Sequence, residues 1–522
     1  MDVWISDFQS DISQCNMLRN RRDEIRDRRA VLMAMDSRHV FTKSQIENLL
    51  NDCINRTVGE IDTKGVLSSG RYNKGYVGAV IEQSVLGYPA DCDRRPDLLV
   101  DGSEVELKTT GIVKSRQQGV AYEAKEPMSI TAVRPEEIVN EEFENSAFWE
   151  KTRRLLIVYY LYAHQVSSPA EYGDFPIKDY EFIDFYGENK KLLKHDWTIV
   201  RDFIREIQEE YPDDPESQYP RISSELNRRK LTVIDTAPKW PNRPRFRLKR
   251  AFVSNLVNNC FGEKYDKLPH LYSNFDEIMR ECARLTNEYG GMTIDELFDK
   301  FGVNHKNKVS KRDSEAVAVR MFGGTARCMN KVEIFSKLSI VGRTIVLSSS
   351  GKRTEDMKLF PIDFEELQNP EIDFEMSEFR ANFADSKLLC IIFQEPGKER
   401  PFGQNIFRGF KLVTFSDAFI EQHVRPVWNR MRELIFTREL RLIPKLNSDG
   451  SLKRNKNGQI SEAPNWPKSR DGIIFVRGTG TDSNPRYKRE KVNGLAMYPQ
   501  QLWVKGSYMV DLLGRRGSSI VA

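Results

Sequence analysis

An α/β architecture is what the 522-residue chain predicts, and three stretches carry that reading. Residues 104–108 alternate, with Glu104, Glu106 and Lys108 on one face and Val105 and Leu107 on the other. Such a period of two marks a strand with one face on a core and one face free for chemistry. Upstream, Tyr76, Val77, Val80, Ile81 and Val85 recur at helical spacing, and Gly87 is a plausible C-terminal stop. Gly75 and Gly78, poor helix formers, suggest a close backbone approach near the start of that helix. Downstream, strands are expected at 155–162 and 180–186 and a helix near 197–210, and residues 211–220, rich in Pro, Asp and Glu, read as a surface loop.

The chemistry concentrates in residues 96–110. Asp101-Gly102 supplies a turn that folds the Asp97 strand back beside the alternating one. The fold-back brings the Asp97 and Glu106 carboxylates together with the Lys108 ammonium next to them. Two carboxylates and a lysine on a rigid hairpin form an oxygen-rich site for a hard cation such as Mg2+, with a positive charge beside an attacking water. This is the Asp, Glu-x-Lys constellation of metal-dependent nucleases. In a chain with 30% charged residues the pattern also arises by chance, as the exposed face of an ordinary edge hairpin. Glu82, on an otherwise apolar helix, is either a solvated flank or a further ligand of the same ion.

Composition narrows the field. At 39% hydrophobic the chain can bury more than one core, and about 150 residues per domain gives two to four domains. A net charge of +4 says little until the charges are placed. Seven cysteines without a Cys-x-x-Cys pair point to reduced thiols and a cytoplasmic location. The six histidines are scattered, which argues against a zinc site and favours core or surface roles for all of them. No phosphate-cradling Gly-x-x-x-x-Gly-Lys-Ser/Thr loop appears, which argues against an ATP-driven translocase. Residues 16–30 are crowded with Arg and Asp in place of a secretory signal, and no stretch approaches the roughly 18 apolar residues of a membrane span.

Taken in order, Lys74-Gly-x-x-Gly-x-x-x-Glu82, Pro96-Asp97 and Val105-Glu-Leu-Lys-Thr109 resemble the MutH family of DNA endonucleases, which includes Sau-3AI-type restriction enzymes. Phe143-Glu-Asn-Ser146 followed by Lys151 resembles the family's aromatic-Glu-Thr-Ser…Lys stretch. Ala237-Pro238-Lys239 stands where the family carries an Arg-Pro-Lys base-reading loop, with alanine in place of the arginine. Phe246-Arg-Leu-Lys249-Arg-Ala-Phe252 resembles its aromatic-x-Leu-Lys-x-x-aromatic segment. The resemblance implies a mixed twisted sheet flanked by helices, with DNA in a cleft between two lobes. It implies Mg2+ held by Asp97, Glu106 and the Leu107 carbonyl, with Glu82 on the same or a second ion. Mn2+ is expected to substitute. Lys108 would orient the water, and the products would carry 5′-phosphates after recognition of GATC.

The C-terminal half repeats this order. Gly291-Met-Thr-Ile-Asp-Glu-Leu297 resembles Asn55-Arg-Thr-Val-Gly-Glu-Ile61. Residues 316–323 stand for 78–87, Ile340-Val-Gly-Arg-Thr344 for Val105-Glu-Leu-Lys-Thr109, and Leu502-Trp-Val-Lys505 for Phe246-Arg-Leu-Lys249. Val341 replaces Glu106, Arg343 replaces Lys108, and the Asp97 position falls near Val332 with Glu333 one residue off. With too few anionic ligands to hold an ion, this copy is expected to bind DNA without cutting it. The expected organisation is a charged helical extension (1–40), a catalytic MutH-like domain (41–268) and a degenerate MutH-like domain (269–522).

Arg243 to Arg250 place five basic residues within eight, the footprint of a polyanion partner. DNA contacts are expected from Lys74, Lys125, Lys239, Arg245, Arg247 and Lys249 in the first copy. In the second they are expected from Arg477, Arg486, Lys488 and Lys505. Arginine suits bidentate contact to guanine or to phosphate. The function expected is a type II restriction endonuclease on double-stranded DNA, paired with a cognate DNA methyltransferase, monomeric in solution and able to dimerise on DNA. A mismatch-repair nickase and a non-catalytic DNA-binding protein stay open as alternatives.

Overall fold

The structure is a computed structural model that describes residues 39–514 except 69–74, 90–94, 116–119, 165, 167, 227–230, 238–241, 304–310, 354, 376, 398–400, 456–457 and 481–483. The charged N-terminal extension, Lys74 and Lys239 therefore lie outside the described residues. The chain forms two compact units. One takes the residues up to Lys190 with Arg201–Pro220 and Thr236–Val253. The other takes Lys191–Val200, Arg221–Asp235 and everything from Ser254.

In the first unit a six-stranded mixed sheet runs Val40–Phe41, Leu98–Val100, Ser103–Lys114, Arg154–Leu161, Ile177–Asp184, with Tyr122–Ala124 also paired to Ser103–Lys114. The hairpin turn is as expected. Val100 pairs with Ser103, and Asp101 and Gly102 both take positive φ (46° and 74°), the twist-matched geometry of a two-residue connection. Arg154–Leu161 lies parallel to the long strand, in register Glu106 to Leu155, and antiparallel to Ile177–Asp184. Both expected downstream strands are thus present within a few residues, and the helix begins earlier, spanning Gly187–Glu210. Part of the expected loop is ordered as the turn Glu216–Gln218, ahead of the helix Pro220–Ser224. The core includes Ile46, Val58, Val80, Ile81, Leu98, Leu156, Val158 and Phe175.

The helix expected before the hairpin is a composite. Tyr76–Val80 is α-helical, but Ile81–Leu86 is π-helical and ends at Gly87 with φ 84°. One extra residue per turn re-aims the side chains from Ile81 onward, a local feature recurrent at functional sites. The close approach expected at both glycines is mild at Gly78, where a Cβ would stand 3.5 Å from Thr109 Oγ1, and absent at Gly75, which faces open space.

The second unit contains the same local arrangements. Ile340–Leu347 is parallel to Lys387–Gln394, which is antiparallel to Ile406–Val413. Thr57 caps a helix reciprocally with Glu60, and Thr293 does so with Glu296. Asn55 (φ 63°) and Gly291 (φ 94°) precede these caps, and their N–H groups donate to Ile177 O and Phe407 O. Ser314 Oγ lies 3.0 Å from Thr344 Oγ1, where Gly78 faces Thr109, and Gly323 closes its helix at φ 80° as Gly87 does. Ser146 and Ser377 each donate to the carbonyl of a Phe three residues earlier while capping the next helix. A second core gathers Ile345, Phe360, Phe383, Leu388, Trp428, Trp466 and Leu502.

Candidate active site

The hairpin places its acids by backbone register. Leu98 pairs with Val105, so Asp97 at the strand's entrance falls opposite Glu106. Asp97 Oδ2 accepts the Leu107 N–H at 2.9 Å, fixing the carboxylate against the neighbouring strand. The carbonyl of Asp97 accepts from His39 Nδ1 at 2.8 Å, and the buried His39 ring packs on Tyr88 at 4.3 Å. That histidine therefore holds the backbone of an acid, a core role consistent with the sequence reading.

Glu106 is 2% exposed and is held by two ammonium groups. Lys108 Nζ lies 2.5 Å from Oε1, and Lys151 Nζ lies 3.0 Å from Oε2 and 3.2 Å from Oε1. Glu104, on the same strand face, is paired with Arg153. Asp97 behaves differently. Burial and then the Glu106 charge push its carboxyl up to about 6, against the opposing pull of Lys108, Lys151 and the Leu107 N–H. A carboxylate pushed up by burial and by a second carboxylate is a position where further positive charge is favourable.

The structure thus brings Asp97, Glu106, Leu107 and Lys108 together. It does not gather Glu82 with them: among the described residues no three His, Cys, Asp or Glu side chains converge closely enough to hold an ion. Glu82 lies half-buried in the π-helical segment. The sequence reading named Lys151 in its motif but gave it no place in the site. Only the strand pairing reveals it: Leu155 pairs with Glu106, and Lys151 stands four residues earlier on the helix Ala147–Thr152 that feeds this strand.

The expected DNA contacts fare unevenly. Arg245 and Arg247 share one face of the strand Arg245–Leu248, opposite buried Phe246 and Leu248. Arg250, from the same basic run, is spent internally on Ala124 O and Glu123. Lys249 is half-buried just beyond the strand. Lys125 covers the Tyr162 ring at 3.9 Å. In the second unit Arg477 is about half-exposed, paired with Asp356 at 2.7 Å and laid over Phe475 and Trp503. Arg486 leans on Tyr487, Lys488 sits 5.9 Å from Tyr498, and Lys505 is tied through its backbone to Ile473.

At the matching place in the second unit neither Asp97 nor Glu106 has an acidic counterpart on the strand. Val341 and Arg343 stand on the strand where Glu106 and Lys108 would be, and Glu333 binds Lys337 at 2.8 Å on a short helix. Arg343 donates to Gly342 O and Leu359 O. A cleft of about 510 Å³ remains, lined by Asp313, Glu315, Arg327, Cys328, Val341 and Arg343.

A carboxylate pair and lysines carried on a mixed sheet with flanking helices have the make-up of a metal-dependent nuclease site. Residues 86–196, which include the hairpin and the Lys151 helix, match the family described as DNA mismatch repair enzyme MutH. The chain is also 23% identical over 507 residues to the type II restriction enzyme Sau3AI of Staphylococcus aureus, covering 90% of this chain and 98% of that one. Both matches support reading the chain as a site-specific deoxyribonuclease of the MutH/Sau3AI type.

Proposed function

We propose that this chain is a type II restriction endonuclease that hydrolyses double-stranded DNA at GATC with Mg2+, its second unit binding DNA without cutting. The observation that carries the reading is the Asp97–Glu106 pair with two lysines on a rigid hairpin. The donor set fits a hard divalent cation: two carboxylates on adjacent strands, one of them, Asp97, pushed up by burial and by the Glu106 charge. Asp97, Glu106 and the Leu107 carbonyl would hold the ion, with Glu82 reaching it only after a local shift. Once bound, the ion supplies Lewis-acid polarisation of the phosphate and a water of lowered pKa.

The chain's own groups account for the rest. Lys108, against Glu106, presents its remaining protons to a water or hydroxide on the open side of the hairpin. Lys151 holds Glu106 in place by contact with both of its oxygens. Both ammonium groups offset charge developing on the transferred phosphoryl oxygens. In the second unit, Val341 in place of Glu106 and Val332 near the Asp97 position remove the ion site while leaving cationic surface for the DNA backbone.

The mismatch-repair description of the matching family favours a second reading, a nickase that cuts one strand. Digestion of a GATC-containing plasmid with Mg2+, with Mn2+ and with EDTA separates the possibilities. Linear products with 5′-phosphate ends at GATC support the restriction reading. Accumulation of open circles alone favours the nickase, and retention without cleavage rejects both. A cognate methyltransferase is part of the proposal, since an unpaired restriction activity would cut its own genome. Digests of methylated and unmethylated plasmid test this.

A further inference from the structure

Between the helix Arg425–Phe436 and the strand Ile474–Gly478, the second unit carries a ribbon that no element of the proposed chemistry uses. Leu442–Pro444 pairs antiparallel with Glu462–Pro464, Leu446 bridges Leu452, and Arg454 bridges Ile460. Two tight turns, with Gly450 and Gly458 at φ 82° and 80°, let the chain double back twice. The ribbon leaves apolar side chains in solvent: Ile443 is 42% exposed, Leu446 61%, Leu452 45% and Ile460 38%.

Its charge is one-sided. Residues 441–470 contain seven Lys and Arg against two Asp and Glu. Backbone hydrogen bonds set these cations side by side: Lys453 N–H donates to Lys445 O at 2.8 Å, and Val476 N–H donates to Pro467 O at 2.8 Å, which puts Lys468 next to Arg477. Neither Lys445 nor Lys453 forms an ion pair with a described residue. Burial and then repulsion from Lys445, Arg470 and Arg477 push the Lys468 ammonium down to about 8, only partly offset by Asp471. Such crowding of like charge works against folding and is relieved by a polyanion.

We propose that the ribbon of residues 441–455 and 458–465 is a DNA-binding arm of the second unit, with Lys445 and Lys453 on backbone phosphates and Leu446 and Leu452 against the sugars and groove wall. A two-stranded ribbon matches the width of the DNA major groove, and exposed aliphatic side chains beside basic ones suit the apolar faces of sugars and thymine methyl groups. The ribbon adjoins Arg477, so arm and loop would extend one continuous footprint. The proposal rests on the reading of the second unit as DNA-binding.

The test uses full-length protein in EDTA and fluorescence anisotropy of a GATC-containing duplex over 50–200 mM salt. K445Q/K453Q is expected to weaken binding roughly 10-fold and to flatten the log K against log salt slope by about 2, one unit per lost phosphate contact. L446S/L452S is expected to weaken binding with the slope unchanged. Parent affinity and slope in K445Q/K453Q overturn the arm. R477A/R486A separates the two readings: if it loses binding while K445Q/K453Q does not, the arm falls alone, and if neither changes, both readings fall. A second readout needs no variant. In parent protein, duplex should protect Lys445 and Lys453 from acetylation detected by mass spectrometry, and equal labelling with and without DNA overturns the arm.

Discussion

At the scale of single residues, the raised carboxyl of Asp97 works against stability above its pKa. The unfolded chain titrates this group near the ordinary 3.8, whereas burial and Glu106 raise it to about 6 in the folded protein. The resulting penalty is absent below about pH 4, where both states are protonated, and is complete above about pH 6. Asp97→Asn mimics the protonated form. It should therefore stabilise the ion-free protein at pH 8 by on the order of 3 kcal/mol. In thermal melts the gain should vanish near pH 4; equal melting of variant and parent at pH 8 contradicts it. Divalent ion should raise the melting temperature of the parent, through binding to the folded state, and leave Asp97→Asn unmoved. Lys151→Met should lower kcat by roughly 10- to 100-fold, the usual cost of losing a group that orients a metal ligand, with duplex affinity in EDTA unchanged. Full activity in that variant would remove Lys151 from the site.

At the scale of elements, the helix that precedes the hairpin sets how close Glu82 can come. A Cβ at Gly78 would make ordinary contact with Thr109 Oγ1, so Gly78→Ala should fold normally and gain helix propensity of about 0.5–1 kcal/mol. Gly78→Leu has no such room and should push the helix off the strand, with loss of cleavage ahead of loss of folding. Equal activity of the Ala and Leu variants, measured by plasmid digestion beside circular dichroism, contradicts this packing. The hairpin was legible in the sequence because its signals are local: alternation over 104–108 and Asp101-Gly102, a pair suited to two positive φ angles. The π-helical segment was not, because apolar spacing at 80, 81 and 85 fits an α-helix equally well and only the backbone register at Ile81–Leu86 separates the two. The Lys151–Glu106 contact was hidden for another reason. It joins residues 45 apart through the parallel pairing of Glu106 with Leu155, which no local pattern announces. Within the five-in-eight basic run, Arg250 serves Ala124 and Glu123 inside the fold, a use that charge density alone does not reveal.

At the scale of the whole molecule, the Asp97–Glu106 pair occurs in one unit, while in the other Val341 stands for Glu106 and Arg343 for Lys108. One cutting centre cannot sever both strands in a single event. At low enzyme concentration, open-circular plasmid should therefore accumulate before linear product, with linearisation rising more steeply than first order in enzyme if two molecules meet on DNA. Simultaneous appearance of both products, followed on a gel time course, contradicts a single centre. The central claim is that the Asp97–Glu106 pair carries out the cleavage. The most direct measurement is the digestion rate of Asp97→Ala and Glu106→Ala proteins on GATC plasmid in Mg2+, beside their duplex affinity in EDTA. The account predicts cleavage reduced at least roughly 100-fold with DNA still bound. Either variant cutting at the parent rate contradicts it.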